Sequence, residues 1–250
     1  ERAKKFLHES EFGALLCYDF DNIRYITGTH VGEWNRNKMN RHCLLIDGYD
    51  QPILFDPACP SKRQRVSWIR PPAVGSMRGS IPASVGMVQQ EVEEIISYLK
   101  KHDVFDQPLG IDIVDIPLYQ ELERAGVKIG DGQAVMVNAR MIKTDDEIQL
   151  LKCSAAMVDA AYWDVAKNLR PGATENEMAA LIQHQLFKWG AESVEFVNCI
   201  SGQRGNPHSH TTSNRMIRPG ELVYFDVGNV YNGYHTCYYR TFSCGRPTKA

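Results

Sequence analysis

Apolar residues fall in short runs closed by turn residues along the first half of the chain, and in long stripes of helical period further on. Gly13-Ala-Leu-Leu-Cys-Tyr18 reads as a buried strand, and Asn22-Ile-Arg-Tyr-Ile-Thr-Gly28 as a turn leading into a short strand closed by glycine. Arg41-His-Cys-Leu-Leu-Ile46 and Pro52-Ile-Leu-Phe55 flank Asp47-Gly48, a dipeptide that favours a hairpin turn. Arg70 to Gly86 is rich in Pro, Gly and Ser and is expected to be irregular surface. From Glu91 to Lys101, Val92, Ile95, Ile96 and Leu99 sit at helical spacing. Pro108 to Val114 predicts a strand and Pro117 to Ala125 a helix, while Gly126, Gly130 and Gly132 predict a turn before Val135. Strands interleaved with helices predict an α/β domain over residues 1–140.

The pattern then changes. Thr144-Asp-Asp-Glu147 has the order of a capping box, and behind it Ile148, Leu151, Ala155, Val158 and Tyr162 form an apolar stripe of period 3.6. A long helix to about Asn168 follows, stopped by Arg170-Pro-Gly172. Thr174-Glu-Asn-Glu177 is a second capping box, opening a helix through Met178, Leu181, Ile182 and Leu186 to Trp189-Gly190. Three strand-like segments come next: Val194 to Ser201, Leu222 to Val227 and Tyr234 to Phe242. Two helices leading into an antiparallel sheet predict an α+β domain over residues 141–250.

Composition narrows the partners. Of 250 residues, 43% are hydrophobic and 23% charged, enough apolar surface for a core and against a disordered chain. The 28 basic residues nearly balance the 30 acidic ones, so no strong field would hold nucleic acid or an anionic membrane. No apolar run approaches the roughly 20 residues that cross a bilayer. The seven cysteines form no CxxC pair, and several lie inside apolar runs such as Leu15-Leu16-Cys17. They are expected to be buried free thiols of a cytoplasmic protein. Arg36, Lys38, Arg41 and His42 form a small basic cluster that reads as solvated surface.

Six segments of the second half stand in one order: Lys143-Thr-Asp-Asp-Glu-Ile148, Arg170-Pro-Gly-Ala-Thr-Glu175, Ile200-Ser-Gly202, Asn206-Pro-His-Ser-His210, Arg218-Pro-Gly-Glu-Leu-Val-Tyr-Phe-Asp226, and Gly233-Tyr234 with Arg240-Thr241-Phe242. Together they resemble the pita-bread superfamily of methionine aminopeptidase, prolidase, aminopeptidase P and creatinase. Asn22-Ile-Arg-Tyr-Ile-Thr-Gly28 is similar to a phrase of that superfamily's amino-terminal domain, so the resemblance covers essentially the whole chain. It implies a creatinase-type amino-terminal domain followed by a pita-bread catalytic domain, and a homodimer.

In the metallopeptidases of this superfamily, the strand resembling Phe225-Asp-Val-Gly228 supplies one metal-binding Asp, and the next strand a second. Here the first position is Asp226 and the second is Cys237. A two-cation centre needs hard carboxylate oxygens to share a water, and a thiolate is a softer ligand that cannot bridge hard ions in that way. The usual dinuclear site is therefore expected to be absent, leaving Asp226 to hold a single divalent metal, to orient an imidazole, or to be an ordinary satisfied strand carboxylate. The family's remaining ligands, a His and two Glu, lie further toward the carboxyl terminus than Ala250, so the pita-bread domain is expected to be truncated and the chain a piece of a longer protein.

The resemblance also implies a substrate-contacting histidine near His208 and His210, which in creatinase is the general acid/base. Imidazole is the side chain suited to moving a proton at neutral pH. On an extended segment the two rings would share one side; otherwise they belong to a surface loop with no role. Tyr231, Tyr234, Tyr238 and Tyr239 crowd the same region, and their aromatic faces would suit a cationic head if they line a pocket rather than pack on the core. Tyr231 and Tyr239 are the candidates for substrate contact. Arg240 would either clamp a substrate carboxylate or tie its strand to a helix. In the superfamily this part of the amino-terminal domain can reach a partner subunit's site, which adds Trp34 and Arg36. Gly233 to Thr241 is more similar to creatinase, which hydrolyses a C–N bond without metal, than to a peptidase. The expected function is hydrolysis of a C–N bond in a small amino-acid-like or cationic substrate. Alternatives are a dimethylsulfoniopropionate-type lyase, which shares an Asn-Pro turn like Asn206-Pro207, a metal-dependent Xaa-Pro peptidase, and a non-catalytic peptide-binding module.

Overall fold

The computed structural model describes residues 1–30, 41–55, 69–70 and 81–247, with backbone alone at 69–70 and 81–85. Trp34, Arg36, Lys38 and Cys59 lie outside the described residues. The chain divides into two compact units, Glu1–Ile142 and Lys143–Ala250.

The first unit is a mixed sheet with helices on both faces. In chain order it runs α1 (Arg2–His8), β1 (Ala14–Cys17), α2 (Phe20–Thr27), β2 (His42–Ile46), β3 (Ile53–Phe55), β4 (Ile69–Arg70), α3 (Ile81–Lys101), β5 (Leu109–Ile111), α4 (Ile116–Arg124), β6 (Ile129–Asp131) and α5 (Gln133–Met141). The strand order is β4-β3-β2-β1-β5-β6. β1 pairs antiparallel with β2 and parallel with β5, which is why the runs Leu15-Leu16-Cys17 and Cys43-Leu44-Leu45 are apolar at every position. Leu16, Leu44, Phe55 and Ile111 pack with Val92, Ile95 and Leu99 of α3, while Leu15, Cys17, Cys43 and Leu45 pack with Leu7, Ile23 and Met136 from α1, α2 and α5.

Three local expectations are corrected. The segment expected to be a turn and strand at Asn22–Gly28 is helix α2. Asp19 accepts from the backbone N–H groups of Asp21 and Asn22 at its start, and Gly28 closes it in the left-handed region at φ 64°. The β-branched Ile23, Ile26 and Thr27 imitate a strand in sequence, but the two caps decide. α3 begins at Ile81, so the last part of the stretch expected to be irregular is helical; Pro82 falls in the first turn, where a missing N–H costs nothing. Gly130 lies within β6 rather than in a turn, and Val135 belongs to α5.

The second unit comprises α6 (Asp145–Asn168), α7 (Glu175–Lys188), β7 (Ser193–Ser201), a 3₁₀ turn (Gly202–Gly205), β8 (Leu222–Tyr231) and β9 (Tyr234–Ser243). Both capping boxes form: Thr144 Oγ1 accepts from the Glu147 N–H at 3.2 Å, and Thr174 Oγ1 from the Glu177 N–H at 3.1 Å. The three strands are antiparallel in the order β7-β8-β9. Val197, Cys199, Val223, Phe225 and Val227 point to α6 and α7, meeting Val158, Tyr162, Val165, Met178 and Ile182. The Tyr162 hydroxyl donates to the Tyr238 carbonyl at 2.8 Å, which fastens α6 across the sheet. Asn232 and Gly233, at φ 50° and 82°, make the tight turn joining β8 to β9.

Arg41 and His42, expected on solvated surface, are instead buried in the first unit, each 2% exposed. The His42 ring is sandwiched between Tyr18 and Phe55 at centroid distances of 5.1 and 4.4 Å. Neither ring nitrogen has a hydrogen-bond partner among the described residues, although Glu91 Oε1 lies 3.3 Å from Nδ1. Burial pushes the imidazole down to about 3, so it is neutral when folded. Below its ordinary value near 6.5 the unfolded chain binds a proton that the folded chain does not, so stability falls with pH at about 1.4 kcal/mol per pH unit, down to the folded-state value. His42→Phe is expected to flatten this dependence: the loss in urea midpoint between pH 7 and pH 5, followed by circular dichroism, should shrink. An unchanged loss would show that other groups carry it.

Candidate functional site

Strand alternation sorts the residues of the second unit. Register places Asn198 beside Asp226 and Asp226 beside Tyr239 across β7, β8 and β9, and Gly228 opposite Cys237. Asn198, Tyr224, Asp226, Gly228, Cys237 and Tyr239 thus share the face turned away from α6 and α7. Gly228 is required there: a Cβ would come within 2.7 Å of the Phe196 ring, which rests on the strand beside Asp226.

Asp226 is 4% exposed and is held by its neighbours on β9. The Cys237 thiol donates to Asp226 Oδ1 at 3.1 Å. Burial, followed by this hydrogen bond and the carboxylate's charge, pushes the thiol up to about 11, so it is protonated at neutral pH. The Tyr239 hydroxyl is raised chiefly by its hydrogen bond to the same carboxylate. A protonated thiol thus occupies one oxygen of Asp226, at the position where the resemblance implies a second carboxylate. No group of three or more His, Cys, Asp or Glu able to hold a metal occurs among the described residues. The donors at 226 and 237 do not fit two hard cations, since sulfur is a soft donor that does not bridge them as a second carboxylate would.

The segment after β7 brings the histidines over this face. The His208 ring stacks on Tyr224 at 4.8 Å and 13°, lies 5.8 Å from the Tyr239 ring, and meets His210 edge-on at 4.3 Å. The Tyr224 hydroxyl donates to the Ser209 carbonyl between them. Both histidines are exposed. His208, His210, Tyr239 and Asp226 are therefore brought together.

Tyr231 and Arg240 are not. Tyr231 stands at the turn end of β8, in the same alternation as Phe225 and Val227, and so on the helix side. Arg240 pairs with Phe225; its guanidinium lies 4.8 Å over the Tyr238 ring and 3.7 Å from Asp159 of α6, the tie to a helix. Tyr238 and Tyr234 are also committed to α6, bonding Asp159 at 2.8 Å and Glu147 at 3.1 Å. The sequence reading missed Tyr224, although its place two residues before Asp226 on a strand marks the shared face. Trp34 and Arg36 lie outside the described residues.

The fold is shared with solved prolidase-type pita-bread proteins: an Xaa-Pro dipeptidase from Bacillus anthracis superposes with a TM-score of 0.78 at 22% identity, over 98% of this chain and 65% of that one. Residues 149–250 match the model of metallopeptidase family M24. It is 31% identical over 250 residues to an Xaa-Pro dipeptidase of Pyrococcus furiosus, covering 100% of this chain and 65% of that protein. It is also 37% identical over 114 residues to a probable dipeptidase PepE of Mycobacterium tuberculosis, covering 45% of this chain and 30% of that protein. The chain spans about two thirds of the length of the Pyrococcus relative.

Cys237→Asp is expected to restore affinity for a divalent cation. Mn²⁺ titration by calorimetry should show binding tightened on the order of tenfold or more, since a carboxylate–cation contact near a surface is worth several kcal/mol before desolvation. Equal binding in the two proteins would mean that the thiol is not what excludes the ion.

Proposed function

We propose that the protein hydrolyses a C–N bond in a small amino-acid-like substrate of dipeptide size, using imidazole rather than a pair of cations for the proton work. The observation that carries this reading is the His208–Tyr224–Tyr239–Asp226 constellation on one sheet face, with a protonated thiol where a second carboxylate would stand. Relatives named as dipeptidases support the reaction class.

Hydrolysis adds water across the bond: oxygen joins the carbonyl carbon, and the leaving nitrogen must gain a proton. His208 is exposed at the rim of the face, where its imidazole takes a proton from the attacking water and returns one to the nitrogen. Stacking on Tyr224 fixes the ring plane, and the Ser209 carbonyl held by the Tyr224 hydroxyl limits its swing. Asp226 stands across the strand pair from Tyr239 and raises its hydroxyl, which keeps that hydroxyl protonated at the edge of the site. Phe196, whose ring packs close to Gly228, offers an apolar surface for a substrate side chain.

The test is turnover of Xaa-Pro and other dipeptides by the protein with and without chelator. His208→Ala is expected to lower kcat/KM about 10²- to 10⁴-fold, the range for loss of a general acid/base. His210→Ala, at the outer edge of the pair, is expected to cost less. Activity abolished by chelator and restored by Mn²⁺, with His208→Ala unaffected, would replace this reading with a metallopeptidase. No turnover of any dipeptide would favour a binding role.

A further inference from the structure

The loop that carries both histidines is anchored on one buried carboxylate. Glu175, the first residue of α7, is 0% exposed. Its Oε1 accepts from the Ser201 N–H and Oγ–H, each at 2.8 Å. Its Oε2 accepts from the Ser213 N–H at 3.1 Å, from the Ser213 hydroxyl at 2.7 Å, and from Arg204. Ser201 ends β7 before the loop and Ser213 lies just beyond His210, so one side chain clamps both ends of the histidine segment.

Arg204 spans the interior. With Nη1 on Glu175 and on Ser213 Oγ at 2.7 Å, it extends Nη2 to Ser209 Oγ at 3.3 Å and to the Thr211 carbonyl. Ser209 is the residue between the histidines, and its carbonyl is the one that Tyr224 holds from the sheet. The guanidinium fork therefore reaches, in one rigid plane, from the buried anchor to the Ser209 hydroxyl and the Thr211 carbonyl on either side of His210. A buried ion pair is costly to desolvate and adds little net stability compared with apolar packing, so its effect here is to select one loop conformation.

We propose that Arg204, anchored by Glu175, is a positioning residue that sets the His208 imidazole on the Tyr224 ring and so aims it at the Asp226 face. The proposal rests on the role assigned to His208, and it concerns geometry that is measurable without turnover.

Histidine-labelled protein, with His208 assigned through His208→Gln, gives the readout by NMR. The face of Tyr224 shifts the His208 ring protons upfield. Arg204→Lys keeps a cation for Glu175 and Ser213 but lacks the second arm of the fork. It is expected to lose most of that shift, and to disturb His210, while His184 on α7 and His42 in the first unit stay unchanged. A His208 that keeps its full shift in a folded Arg204→Lys protein overturns the proposal. Should Arg204→Lys fail to fold, Ser209→Ala removes one acceptor of the fork and leaves the anchor intact; partial loss of the His208 shift supports the proposal, and full retention overturns it. Absence of dipeptide turnover in the unsubstituted protein would sink the hydrolase reading alone and leave this measurement interpretable.

Discussion

The second unit depends on the strict two-residue alternation of its central strand, β8. Val223, Phe225 and Val227 point to the helices and are fully buried, and their packing against Val158, Val165 and Ile182 holds the strand in register. The residues between them, Tyr224, Asp226 and Gly228, are thereby forced to the other side with no choice of their own. The chemistry of the site is the remainder of a packing solution: burying Phe225 fixes where Asp226 goes.

What was legible in the sequence follows from how local each signal is. The capping boxes at Thr144 and Thr174 are self-contained within four residues, and both helices start where those boxes lie. The strand at Asp226 and the histidines at 208 and 210 were found through an ordered set of segments, not through any property of a single residue. The face on which a side chain stands was read less well. Arg240 and Tyr231 lie close to Tyr239 and Val230 in sequence, but one step of alternation puts them on the helix side, and only counting from Phe225 reveals it. The Glu175 anchor was not legible at all, because its donors at 201, 204 and 213 come from a strand end and a loop that fold back on a helix start.

Helix α2 shows the same limit from the opposite side. Ile23, Ile26 and Thr27 are β-branched and favour extended chain, yet Asp19 satisfies two of the free N–H groups at the helix start, and Gly28 turns the chain back at its end. End effects outweigh intrinsic preference in a helix of 8 residues, where a large share of the backbone groups sit in the first or last turn.

The Asn232-Gly233 turn has a bearing on how such a site can change. Because it fixes which residue of β9 lies across from each residue of β8, it also decides which side chains neighbour Asp226. Lengthening it by a single residue would slide β9 by one position, swing the thiol and the phenol toward the helices, and present the guanidinium of Arg240 and the ring of Tyr238 to the carboxylate instead. The chemical character of this surface could thus be rewritten without altering any residue that forms it, by an insertion at the hairpin tip.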